Sequence, residues 1–249
     1  MHYLFTGFFA AAAALGAANA AEHGASSAQT IAKLKTIIAS KDRPEAQRDR
    51  DRYRHPLETL SFCGIEPEMT VVEIWPGGQG SWYRRIVEPL LAEGGGDYVP
   101  VESRSPFPET VKDIPYGAVD MVLVFRAHGF MIYKAPAQAH VDAVYSMLKP
   151  GGVLCIVDHA GDESVPQDPK GANGYVNESH FLALARNAGF RLLAASDINR
   201  NPKDSKDHPH GVWSLPPTLR GSPPLSADRK KYLEIGESDR FTLKFEKPQ

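Results

Sequence analysis

Cysteine is nearly absent: the chain has two, Cys63 and Cys155, and neither stands at metal-ligand spacing. That excludes a cysteine-built zinc module or a dense disulfide framework. Cys155 lies inside Val153-Leu154-Cys155-Ile156-Val157, where a small buried hydrophobe is the ordinary reading, and whether the two cysteines meet is open. Charge of one sign is lacking too. With 28 basic against 30 acidic residues, the net charge of −2 offers no basic field to nucleic acid. Beyond the N-terminus no run is long and apolar enough to span a membrane. There is no Gly-x-Ser-x-Gly elbow, which disfavours an α/β-hydrolase, and no Gly-x-Gly-x-x-Gly near a strand, which disfavours a dinucleotide site.

What is present begins with Met1 to Ala21: Leu4, Phe5, Phe8, Phe9, an alanine run, then Ala18-Asn19-Ala20, a small-x-small cleavage pattern. It reads as a secretory signal peptide, so the protein is expected to be exported to the periplasm. Residues 22–56 form an N-terminal helical segment. Ile31, Leu34, Ile37 and Ile38 recur at helical spacing over 28–40. The charged run Lys41 to Arg54, with Pro44 at a helix start, is a solvated helix face or a lid over whatever the next strand carries.

Residues 57–249 alternate strands and helices. Strands are expected near 70–75, 97–102, 118–125, 152–158, 191–196 and 240–247, with helices over 81–91, 137–148 and 178–188. Such alternation predicts a mostly parallel α/β sheet with helices on both faces. The long connection 199–237 carries Val212 to Pro217 and reads as an ordered cap.

Thr70 to Gly80 is the most informative stretch. An apolar strand ends in Glu73, breaks into Gly77, Gly78 and Gly80, and precedes a helix. Glycines let backbone approach a ligand closely, and helix N-H groups face the same crevice. Glu73 orients the loop or accepts from a ligand amine.

That stretch resembles the first motif of class I S-adenosylmethionine-dependent methyltransferases, an acid followed by Gly-x-Gly-x-Gly. Trp75 stands at the first glycine, Gly77 at the second and Gln79 at the third. Val119 to Val124 resembles the family's fourth strand, and Leu148-Lys149-Pro150-Gly151-Gly152 the turn before its fifth. Several motifs are similar to those of a group of exported proteobacterial methyltransferase-like proteins: Glu73 to Gly78, Asn201 to Asp204 with Lys206 to Pro209, Trp213 to Thr218, and Gly236 to Arg240.

The resemblance implies a Rossmann-like class I methyltransferase sheet with an antiparallel C-terminal strand, and S-adenosylmethionine as cofactor. Only about fifteen residues, 103–117, fill the place of a helix, a strand and a second helix, so one strand-helix unit is expected to be missing. Glu73, Gly77, Gly78, Gly80, Glu102 and Arg126 are the candidate cofactor contacts, Glu102 because a carboxylate can accept from a ribose diol. His128 and His159 are candidate bases, and Asp158, Tyr175 and Trp213 candidate residues of the substrate side. No metal is expected: His208 and His210 read as part of a solvated loop.

The expected function is methyl transfer to a small acceptor. The alternatives are a non-catalytic periplasmic small-ligand-binding protein on the same fold and an assembly factor of the envelope. Oligomeric state is open.

Overall fold

The computed structural model describes residues 24–77, 81–102, 107–109, 114–125, 128–132 and 135–249. The expected signal peptide and the candidate contacts Gly78, Gly80 and Arg126 lie outside them.

Among the described residues four helices precede the sheet: α1 (Ala28–Ala39), α2 (Glu45–Arg48), α3 (Asp51–Arg54) and α4 (Pro56–Cys63). Then follow β1 (Thr70–Ile74), α5 (Arg84–Gly94), β2 (Asp97–Val101), β3 (Val119–Val124), α6 (His128–Ile132), α7 (Ala137–Met147) and β4 (Leu148–His159). The chain closes with α8 (Glu178–Ala188), β5 (Arg191–Ser196), α9 (Ala227–Ile235) and β6 (Arg240–Glu246). The strand order is β2-β1-β3-β4-β6-β5. β1 pairs parallel with β2 and β3, β3 parallel with β4, and β6 runs antiparallel to both neighbours. This is the mostly parallel sheet that the alternation predicts, with the antiparallel C-terminal strand that the resemblance implies. Among the described residues no strand or helix separates β2 from β3, so β2 is an edge.

Alternation along the strands sorts side chains into two cores, because successive residues point to opposite faces. Val71, Met121, Leu123, Val153 and Cys155 pack on Leu34, Leu60, Ile86 and Leu90 from α1, α4 and α5. Val72, Ile74, Val122, Val124, Leu154 and Ile156 pack on Val141, Val144 and Phe181 from α7 and α8.

Glu73 shares the first face. Trp75 would too, but its φ of +51° is left-handed. The turn breaks the alternation and sends the indole into the second core. There it meets Phe107 at 5.9 Å, Phe130 at 5.3 Å and His140 at 5.6 Å, all edge-on.

Several expectations need correction. Cys63 and Cys155 form a disulfide with Cα atoms 5.5 Å apart, joining α4 to β4, so Cys155 is not a free hydrophobe. The charged run is a solvated face only in part: Lys41, Asp42, Glu45, Asp49 and Arg52 are exposed, whereas the Arg43 side chain is 2 % exposed and doubly bonded to Asp51. Arg43 and Asp51 answer one another within the run, and Arg50 and Arg54 bond Glu237 beyond it. The helix expected from Ser81 starts at Arg84, because Trp82 and Tyr83 bury their rings in the turn before it. His208 is buried, its Nε2 2.9 Å from Asp204 Oδ1, so it does not belong to a solvated loop, whereas His210 is exposed. Among the described residues no helix is long and apolar enough to cross a membrane.

Candidate functional site

A cavity of about 260 Å³ opens beyond the carboxyl end of β1, where ligands bind in parallel α/β sheets. Its floor is Glu73 to Gly77, and Ser81, Trp82, Tyr83 and Phe125 form its walls. Glu73 is 3 % exposed and accepts a 2.5 Å hydrogen bond from the Tyr98 hydroxyl of β2. Burial, reinforced by the Glu73 charge, pushes the Tyr98 phenol well above its usual range. Tyr98 therefore stays a donor to Glu73, whose side chain lines the cavity. Gly77 takes φ +94°, a conformation costly for any side-chain-bearing residue, and is exposed. Ser81 Oγ is buried and has no hydrogen-bond partner among the described residues.

The roof is the charged run. Gln47 of α2, Arg50 just before α3 and Arg54 of α3 overhang the cavity, tied down where Trp82 Nε1 donates to Gln47 O at 2.8 Å. Arg50 and Arg54 both bond the Glu237 carboxylate, at 2.5 and 3.2 Å, and Arg240 bonds it as well. Burial alone would raise the Glu237 pKa, but Arg240, Arg54 and Arg50 hold it down to about 2. Arg54 falls to about 10, through burial first and then repulsion from Arg240 and Arg50 against the pull of Glu237. Three guanidiniums share one carboxylate, leaving positive charge at the roof.

A smaller hollow adjoins it, walled by the same Arg54, Tyr83 and Phe125 and extended by Val157, Asp158, His159, Asn199 and Arg240. Burial raises the Tyr83 pKa to about 12, so the phenol in this shared wall carries no charge. At its end three candidate residues converge. His128 Nδ1 lies 3.3 Å from Asp158 Oδ1, which also accepts from the His159 backbone N-H at 2.8 Å. The His128 and His159 rings are 5.3 Å apart, and the Ser238 hydroxyl sits 2.5 Å from His159 Nδ1. Trp213 stands edge-on to His128 at 6.3 Å.

Adjacent strand residues point apart, yet here both reach one locus. The strand ends at His159, and His128 enters from α6 to meet Asp158.

Two candidates fall elsewhere. The Tyr175 hydroxyl donates to Asp204 at 2.9 Å inside a buried cluster with His208, so it does not face the hollow beside His128. Glu102 lies just past β2, 3.4 Å from Arg84 and half exposed, and lines neither cavity. Sequence reasoning missed Arg50, Arg54, Ser81, Tyr98 and Ser238. Signals existed for some: Arg50 and Arg54 belong to the charged run, and Ser238 to the Gly236–Arg240 motif.

No protein-family model matches the chain, and no curated protein matches it. Among solved structures it is similar to an S-adenosylmethionine-dependent methyltransferase from Aquifex aeolicus, 14 % identical with a TM-score of 0.52 over 87 % of this chain and 98 % of that one. It is also similar to geranyl diphosphate C-methyltransferase from Streptomyces coelicolor, solved with S-adenosyl-L-homocysteine, at 14 % identity and a TM-score of 0.48 over 86 % and 83 % of the two chains. A third is phosphoethanolamine N-methyltransferase 2 from Haemonchus contortus, solved with S-adenosyl-L-methionine, at 14 % identity and 0.48 over 79 % and 53 %. The Aquifex likeness establishes a methyltransferase-type Rossmann-like fold.

Proposed function

We propose that this chain is a class I methyltransferase that uses S-adenosylmethionine to methylate a small acceptor. One observation carries the reading. The cavity at the end of β1 and the His128-Asp158-His159 locus adjoin across a shared wall, so donor and acceptor can meet above the carboxyl ends of β1, β3 and β4.

The residues suit the cofactor. Glu73 matches a ligand ammonium, Arg50 and Arg54 match a carboxylate, and the Ser81 hydroxyl, without a partner among the described residues, offers a further polar contact. Gly77 and Trp75 form the turn where the family's glycine motif lies. The bound cofactor supplies an electrophilic methyl group on a sulfonium. The chain's contribution is placement: Tyr83 and Phe125 form an apolar wall that excludes water, and the roof holds the ligand's amino-acid end. His128, backed by Asp158, and His159 are the groups that can act on the acceptor's proton.

We also propose export to the periplasm. The Ala18-Asn19-Ala20 pattern supports it, and so does a disulfide, which persists in oxidising compartments. Fractionation finding only full-length cytosolic protein would overturn it. A second reading, a non-catalytic small-ligand-binding protein, draws on Trp75, whose indole rather than a glycine shapes the turn.

Calorimetric titration with S-adenosylmethionine and S-adenosylhomocysteine tests the main reading. Both should bind, Gly77→Val should abolish binding, and His210→Ala should leave it intact. Silence at millimolar ligand refutes the proposal. Binding without turnover of any acceptor favours the second reading.

A further inference from the structure

His128, Asp158 and His159 arrive from two chain segments, the start of α6 and the end of β4. Each offers one donor atom, and these atoms all lie within 4.8 Å of one another. Bonds of about 2.0–2.1 Å from one ion place neighbouring ligands about 3.4 Å apart in a tetrahedron and about 3.0 Å apart in an octahedron. His128 Nδ1 and Asp158 Oδ1, at 3.3 Å, already have such a spacing.

A histidine-carboxylate hydrogen bond alone would explain that pair, but not the rest. The Asp158 side chain is 1 % exposed, yet its Oδ2 has no hydrogen-bond partner among the described residues. A buried carboxylate with an unanswered oxygen is costly unless a cation meets it. Arg54 and Arg240 line the adjoining hollow, but both bond Glu237. No hydrogen bond from either reaches Asp158 among the described residues. The second imidazole, His159, turns to the same locus with its Nδ1 beside Ser238, the kind of outer contact that fixes the ring of a ligating histidine.

We propose that His128, Asp158 and His159 bind one divalent transition-metal cation, with the ion's remaining positions open to the acceptor hollow. Two imidazoles and one carboxylate suit zinc, cobalt(II) or iron(II) rather than magnesium or calcium, which prefer all-oxygen surroundings. The donor set leaves room for a further oxygen ligand.

One consequence rests on the methyltransferase reading. An acceptor carrying a hydroxyl would coordinate through oxygen. The ion lowers that hydroxyl's pKa, the O-H bond breaks with its electron pair left on oxygen, and the proton passes to water. With the ion bound, the histidines serve as neutral ligands in place of the proton-accepting role they hold without it, and the acceptor class is a small hydroxyl compound.

The test uses the purified chain stripped with chelator and titrated with cobalt(II), followed by calorimetry and visible absorption, with zinc as competitor. One equivalent of cobalt should bind with a dissociation constant of roughly micromolar or tighter, develop visible bands, and be displaced by zinc. Asp158→Asn, close in shape, and His159→Gln should each weaken binding by about 100-fold or more, while His210→Ala changes nothing. If Asp158→Asn fails to fold by circular dichroism, His128→Gln at the more exposed position gives the same reading.

No binding at about 100 μM cobalt, or equal binding by wild type and all three site variants, overturns the proposal. S-adenosylhomocysteine titrated into the stripped protein is the independent arm. Its binding without cobalt binding sinks the ion site alone. Cobalt binding without it supports the ion site and sinks the methyltransferase reading.

Discussion

Glu237→Gln would remove the negative charge that Arg50, Arg54 and Arg240 share. The carboxylate is 2 % exposed and bonds Arg50, Arg54 and Arg240. Its pKa moves from 4.5 to about 2, with the three arginines overcoming the effect of burial. A depression of about 2.5 units is worth roughly 3 kcal/mol at about 1.36 kcal/mol per unit. The acid's folded pKa lies below its unfolded one, so this stability is complete above the unfolded value of 4.5 and drains away as pH falls toward 2. Truncating one member of a buried ion pair costs about 3–5 kcal/mol, and the lower end applies because Arg50 and Arg54 keep 25 % and 22 % exposure. Urea unfolding of wild type and variant across the acid range is the assay. At neutral pH the variant should be about 3 kcal/mol less stable, and the gap should close to under about 1 kcal/mol near pH 2. A gap that is small at neutral pH, or unchanged by acid, would refute the ionic hub.

Further outcomes follow from two other contacts. The Cys63–Cys155 bridge spans 92 residues, so loop-closure entropy gives it about 4.5 kcal/mol. The double alanine variant should melt roughly 10–15 °C lower by calorimetry, and a shift under about 3 °C would contradict a stabilising bridge. A Cβ on Gly129 would sit 2.4 Å from Trp75 Cζ3, so Gly129→Ala should cost about 1–3 kcal/mol, and Trp75→Leu in the same chain should recover most of it. Additive losses in that double-mutant cycle would show that the indole is not what fills the space.

Local pattern carried much of the architecture. Val71, Val72 and Ile74 read as a buried strand because an apolar run has few other uses, and α8 occupies the stretch its periodicity marks. Strand ends mark candidate site residues: Glu73 and Asp158 lie one residue before the ends of β1 and β4, His159 ends β4, and parallel strands open on one crevice. Their partners were not legible. Pairing of Cys63 with Cys155, or of Arg50 with Glu237, depends on the closure of long loops, and no spacing encodes it. Burial of Arg43 and His208 was hidden because a charged sequence looks the same whether its counter-charges face water or one another. His128 carries no partner in the sequence, since it begins α6 while Asp158 stands near the end of β4, thirty positions on.

The narrow side of the sheet raises a matter of colloidal safety. With no strand beyond it among the described residues, β2 would offer its backbone to any stray extended chain, the usual route to edge-to-edge aggregation. Val101 O turns inward to accept from Trp75 N at 2.7 Å, and neighbouring residues of a strand alternate in the direction of their backbone bonds, so Pro100 faces out. Proline has no N-H to give. The position where a recruited strand would dock therefore lacks its donor, and the shortened sheet can end there without becoming adhesive.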